Sequence, residues 1–144
     1  MFFTKYVFFA NDGYLNRERM MGMGEIKRIL VVDDSAMVHK LMDRFLIGYE
    51  IVGFASNGEE GIKLYHEHRP DLTFMDITMP VVDGISAIKG IKQIDQDAKI
   101  VMLSAMADEE IVEEAKSLGV ITFLQKPFNK ETLQRTIHEV QQGG

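Results

Sequence analysis

Five short apolar runs, each followed by a stretch of helical periodicity, limit what this chain can fold into more than any other feature. The runs cover residues 29–32, 50–54, 72–75, 99–103 and 120–124. They are almost wholly apolar, as strands buried on both faces must be. Ser35 reads as an N-cap, and after it Val38, Leu41, Met42 and Phe45 fall on one helical face. Asn57 caps a helix over 58 to about 68 that carries Ile62, Leu64 and Tyr65 and is stopped by Arg69-Pro70. Gly84 opens a helix with Ile85, Ile88 and Ile91. Asp108 caps another, with Ile111, Ala115 and Leu118 inward and Gly119 closing it. Beyond Pro127, Asn129 caps the last, with Leu133, Ile137 and Val140 inward.

Alternating strands and helices imply a parallel sheet with right-handed crossovers and helices on both faces. Too few strands exist for an eight-fold barrel. The fold class is therefore α/β, an open, doubly wound, five-stranded parallel sheet. In such sheets ligands bind beyond the carboxyl ends of the strands, so the residues at those ends come first.

Strand one ends in Asp33-Asp34 and strand three, inside "TFMDITMP", in Asp76. Strand four ends in Ser104, and strand five runs on to Lys126. Three carboxylates at one edge repel unless a cation sits among them. A hard divalent ion with oxygen ligands answers that need, and Mg²⁺ suits it best. An anion able to engage metal, ammonium and hydroxyl together is most simply a phosphoryl group.

"VVDDS", "MDITMPVVDG", "LSA" and "KPF", in this order and spacing, closely resemble the receiver domain of two-component response regulators, over about residues 26–142. The combination is specific where each piece alone is weak. The resemblance implies a flavodoxin-like strand order 2-1-3-4-5 and a stand-alone regulator of the chemotaxis type. It implies that Asp76 is the phosphoacceptor and a metal ligand, that Asp34 binds Mg²⁺ directly and Asp33 mainly through water, and that the Thr78 carbonyl is a further metal ligand. Ser104 would hydrogen-bond the phosphoryl oxygen, Ala105 would leave room for it, and Lys126 would pair with it. Phe123 would be the aromatic switch residue, and the bond between Lys126 and Pro127 would be cis. Thr78 and Met106 occupy positions that tune phosphoryl lifetime in the family. The implied donor is a sensor histidine kinase or a histidine phosphotransfer protein. The implied output is a protein partner on the face of the fourth helix, fifth strand and fifth helix. Such a protein works in the cytoplasm as a switch and catalyses only its own phosphotransfer and dephosphorylation.

Other chemistries fit less well. A Mg²⁺ phosphohydrolase of the haloacid dehalogenase kind carries its DxD motif on strand one; here the pair is adjacent and the acceptor is on strand three. A flavin module needs a hydroxyl- and glycine-rich phosphate loop where "DDSAMVHK" places acids. A degenerate receiver acting only by docking would have lost some of these positions, and all are filled. His66 and His68 point apart on a helix and cannot share a metal, while His39 and His138 read as helix-surface residues. The acids around 108–114 suit a helix N-terminus and a solvated face.

Bulk properties narrow the classes further. A chain of 144 residues suits one domain, and no cysteine is present for a disulfide, a thiolate metal site or a thiol nucleophile. A net charge of −6 opposes sequence-independent nucleic acid binding. No apolar run reaches the ~18–20 residues of a membrane span. Residues 1–24 differ in composition from the rest and read as an N-terminal extension to a receiver domain at 25–144. Lys5 breaks the apolar stretch, which speaks against a signal peptide. Met20, Met21 and Met23 are alternative starts, and an added edge strand would shelter the extension's aromatics.

Overall fold

The computed structural model describes residues 25–77, 79, 82–105 and 109–143. The expected extension at 1–24, with its suggested edge strand, lies outside them, as do Met106 and the expected cap Asp108. Within them the order is β1 (Arg28–Val32), α1 (Ala36–Phe45), β2 (Glu50–Ala55), α2 (Gly58–His68), β3 (Leu72–Asp76), α3 (Gly84–Ile94), β4 (Ile100–Ser104), α4 (Glu109–Ser117), β5 (Thr122–Gln125) and α5 (Lys130–Gln141). All pairings are parallel, in the order β2-β1-β3-β4-β5. The expected doubly wound sheet is therefore present.

Period-two alternation explains why the strands are apolar throughout. Side chains of one strand point to opposite faces, and here each face meets helices. Ile29, Val31, Phe74, Val101 and Leu103 pack with Val38 and Met42 of α1 and Leu133, Ile137 and Val140 of α5. Leu30, Val32, Met75, Ile100 and Met102 pack with Tyr65 of α2, Ile88 and Ile91 of α3, and Ala115 of α4. β3 and β4 are buried along their whole length, whereas the edge strands β2 and β5 are partly open.

The caps follow local chemistry. Ser35, Asn57 and Asn129 accept hydrogen bonds from Val38, Glu60 and Thr132 backbone N–H groups, as their positions predict. Asp83 does the same for α3 by accepting from Ser86 N–H at 2.8 Å. Arg69 ends α2 in the left-handed conformation, φ 45°.

Burial on α1 and the start of β5 differ from expectation. Leu41 and Phe45 are only half-buried; Val38 and Met42 carry the buried stripe of α1. Val120 is not in β5. Gly119 has φ +93°, its N–H donates to the Lys116 oxygen at 3.0 Å, and Val120 N–H donates to the Ala115 oxygen at 3.1 Å. That is a Schellman closure of α4, so buried Val120 belongs to the helix end and the strand starts at Thr122.

Candidate functional site

β1 and β3 lie side by side, with Val32 in register with Met75. Asp33 and Asp76 follow these partners directly, so the shared end of two central strands carries both acids. Ligand oxygens of Asp33, Asp34 and Asp76 all lie within 4.8 Å of one another. Chain neighbours differ sharply here: Asp33 is fully buried and Asp34 is exposed. Asp33 is held by its N–H donating to the Ala55 oxygen at 2.9 Å and by Oδ1 accepting from Ser35 N–H at 2.8 Å. Asp76 is 6% exposed at the tip of β3.

Lys126 enters from beyond β5. Its N–H donates to the Ser104 oxygen at 2.7 Å, which ties the loop to the end of β4. The Lys126–Pro127 bond is cis, as expected. Nζ lies 2.6 Å from Asp33 Oδ2 and 3.4 Å from Asp76 Oδ1. Burial alone would lower the Lys126 pKa; the contacts with Asp33 and then Asp76 outweigh it, and the net shift is upward. Lys126 therefore stays an ammonium among the acids.

The acid cluster fits a hard cation. Asp33 Oδ2 is buried and accepts no aligned hydrogen bond; the nearby ammonium is an ion pair by distance. A buried oxygen with lone pairs to spare, beside two more carboxylates, is an all-oxygen donor set of the kind Mg²⁺ takes. The expected ligand Thr78 lies outside the described residues.

Ser104 ends β4 one residue beyond Leu103, the register partner of Asp76. It is buried, and Ala105 after it is exposed. Phe123 pairs with Met102 and is half-buried against the α2–α3–α4 side of the sheet. Period two puts Ser104 on the same side as Met102, so Ser104 and Phe123 share one face. Gly84 closes the far wall: a Cβ there would sit 2.2 Å from the Asp76 backbone oxygen.

Two residues near the site escaped the sequence reading. Phe128, the last of "KPF", is buried against the α1–α5 side and meets Phe45 edge-on at 6.4 Å. It anchors the loop that presents Lys126. His39 is not a plain surface residue: it is half-buried, with Nε2 2.7 Å from the Asp33 backbone oxygen. Its position three residues before buried Met42 was the available signal, because that spacing shares a helix face. His138 is exposed, as expected.

Comparison with known proteins gives a consistent picture. Residues 29–138 match the family model of the response regulator receiver domain. The chain is 44% identical over 114 residues to the chemotaxis protein CheY of Bacillus subtilis, covering 78% of this chain and 95% of that one. It is 41% identical over 116 residues to the chemotaxis protein CheY of Thermotoga maritima, covering 79% and 97%. The crystal structure of a CheX-CheY-BeF3-Mg+2 complex from Borrelia burgdorferi contains a similar fold, with TM-score 0.76, 31% identity and coverage of 83% and 92%.

Proposed function

The chain belongs to the response regulator receiver domain family, and on that premise we propose that it takes a phosphoryl group from a histidine phosphodonor onto Asp76 in a Mg²⁺-dependent reaction. The observation that carries this reading is Asp76 at a strand tip, within 4.8 Å of two further carboxylates and 3.4 Å from the Lys126 ammonium. The donor is a sensor histidine kinase or a histidine phosphotransfer protein, which places the reaction in the cytoplasm. Residues 25–144 act as the receiver unit and 1–24 as an extension to it.

An Asp76 carboxylate oxygen attacks phosphorus. The O–P bond forms as the P–N bond to the donor imidazole breaks, and the electron pair leaves on the imidazole nitrogen. The transition state is loose, so positioning and charge neutralisation carry the rate, and no general base is needed. Asp33, Asp34, Asp76 and the Thr78 carbonyl would hold Mg²⁺, which when bound neutralises charge on the phosphoryl oxygens. Lys126 pairs with a phosphoryl oxygen, and the Ser104 hydroxyl donates to another. Hydrolysis of the acyl phosphate resets the switch.

Output follows from the shared face of Ser104 and Phe123. If Ser104 moves toward the phosphoryl oxygen it vacates space, and Phe123 swings inward. The face built from α4, β5 and α5 then changes shape and is read by a partner protein, as in a chemotaxis-type regulator. The phosphoryl group shifts this equilibrium by its differential affinity for the two states.

Acetyl phosphate with Mg²⁺ should add one phosphoryl group, localised to Asp76 by mass spectrometry, and Asp76→Asn should not label. Equal labelling of the variant would falsify the assignment. Amide shift mapping with beryllofluoride should show changes on α4 and around Phe123; changes confined to the loops at Asp34 and Asp76 would sink the output model. Turnover of generic phosphate esters would instead mark the protein as a hydrolase.

A further inference from the structure

His39 reaches the backbone of the acid cluster with a side chain that phosphotransfer does not use. It sits on α1, one turn after Ser35. Its ring lies 4.9 Å from the Phe54 ring of β2, tilted by 34°, and Nε2 reaches the Asp33 backbone oxygen at 2.7 Å. A carbonyl oxygen only accepts, so Nε2 carries the proton and donates. Phe54 packs the ring on one side and holds it in that direction.

The Asp33 carbonyl belongs to the peptide plane that joins Asp33 to Asp34. That plane is rigid, so holding its oxygen also holds the nitrogen and Cα of Asp34. Asp33 is already fixed through its N–H and Oδ1. Asp34 is exposed, so the peptide plane fixes where its side chain starts and what its carboxylate can reach. We propose that His39 is a positioning residue: by donating through Nε2 to the Asp33 carbonyl it sets the peptide plane that directs the Asp34 carboxylate toward the divalent cation site. This rests on the reading of the acid cluster as that site. Hydrogen bonds that orient metal-ligating residues typically matter about 10–100-fold in metal affinity. The effect belongs at the lower end here, because His39 acts through one peptide plane.

The test compares His39→Phe, which keeps the ring but removes the donor, with His39→Gln, which returns an N–H at similar reach. Isothermal titration of the full chain with Mg²⁺ should give about tenfold weaker binding for His39→Phe and near wild-type binding for His39→Gln. In metal-free protein the Asp34 amide resonance should move in the Phe variant and return in the Gln variant. Long-range nitrogen–proton correlations on the wild type should show Nε2 protonated, a readout that needs no variant to fold. Unchanged Mg²⁺ affinity in His39→Phe overturns the inference, even if its metal-free melting temperature falls. A Gln variant as weak as the Phe variant, or a bare Nε2, also overturns it. Absence of Mg²⁺ binding in the wild type defeats the metal reading instead; the Asp34 resonance then decides whether His39 sets that peptide, and an unmoved resonance overturns it.

Discussion

Lys126 lies closer to Asp33, at 2.6 Å, than to the proposed acceptor Asp76, at 3.4 Å. One ammonium thus serves two acids before any phosphoryl group arrives. Lys126→Met should destabilise the metal-free protein by about 2 kcal/mol, between the values typical of exposed and buried pairs. The pH dependence has a definite sign. A lysine whose folded pKa is raised contributes fully below its ordinary value of 10.5 and loses that contribution as pH rises through the higher folded value. Urea unfolding of both proteins across an alkaline series should show the wild-type advantage shrinking above that point; an advantage that grew would contradict the ion-pair account. At this scale the types and positions of Asp33, Asp34, Asp76, Ser104 and Lys126 were readable from the chain. That adjacent Asp33 and Asp34 would be buried and exposed was not, because the difference depends on Ala55, Ser35 and Lys126 closing around one of them.

Entry into α3 separates a local device from one tied to the site. Asp83 caps the helix by accepting from Ser86 N–H, whereas Gly84 is pressed against the backbone of Asp76 and Ile77. Asp83→Ala should lower stability by about 1 kcal/mol and leave acetyl phosphate labelling at the wild-type rate. In Gly84→Ala the added carbon meets backbone that has no rotamer to yield, at a cost of about 1–3 kcal/mol. The carbonyl it displaces belongs to Asp76, the proposed acceptor, so labelling should slow as well. Labelling rates alongside unfolding curves check both, and an undisturbed rate in Gly84→Ala would show that the close approach does not position Asp76. Element existence was legible from periodicity and caps. The start of β5 was not, because the Val120 hydrogen bond to Ala115 competes with strand pairing and wins.

The two cores lie on opposite faces of one sheet, so β1 and β3, which carry the acids, are also central to the whole molecule. The proposed cation site then exists only in the folded chain. Mg²⁺ at 100 times its dissociation constant should stabilise the protein by about 2.7 kcal/mol, and chelation should remove that gain. Asp34 is exposed, and its loss relieves repulsion with Asp33 and Asp76. Asp34→Ala should therefore melt at or above the wild-type temperature without metal, yet gain less from Mg²⁺. A variant with the full metal-dependent rise in melting temperature would remove Asp34 from the ligand set. The alternation of strand and helix, and hence a parallel sheet with its candidate site at the carboxyl ends, was legible in the chain because period and capping are local properties of neighbouring residues. Packing of the folded chain, by contrast, brings His39 to the Asp33 carbonyl, sets Phe128 beside Phe45 under the Lys126 loop, and puts Lys126 nearer Asp33 than Asp76. Those choices are made between residues far apart in the chain or on different elements, where packing selects a partner that no local pattern specifies.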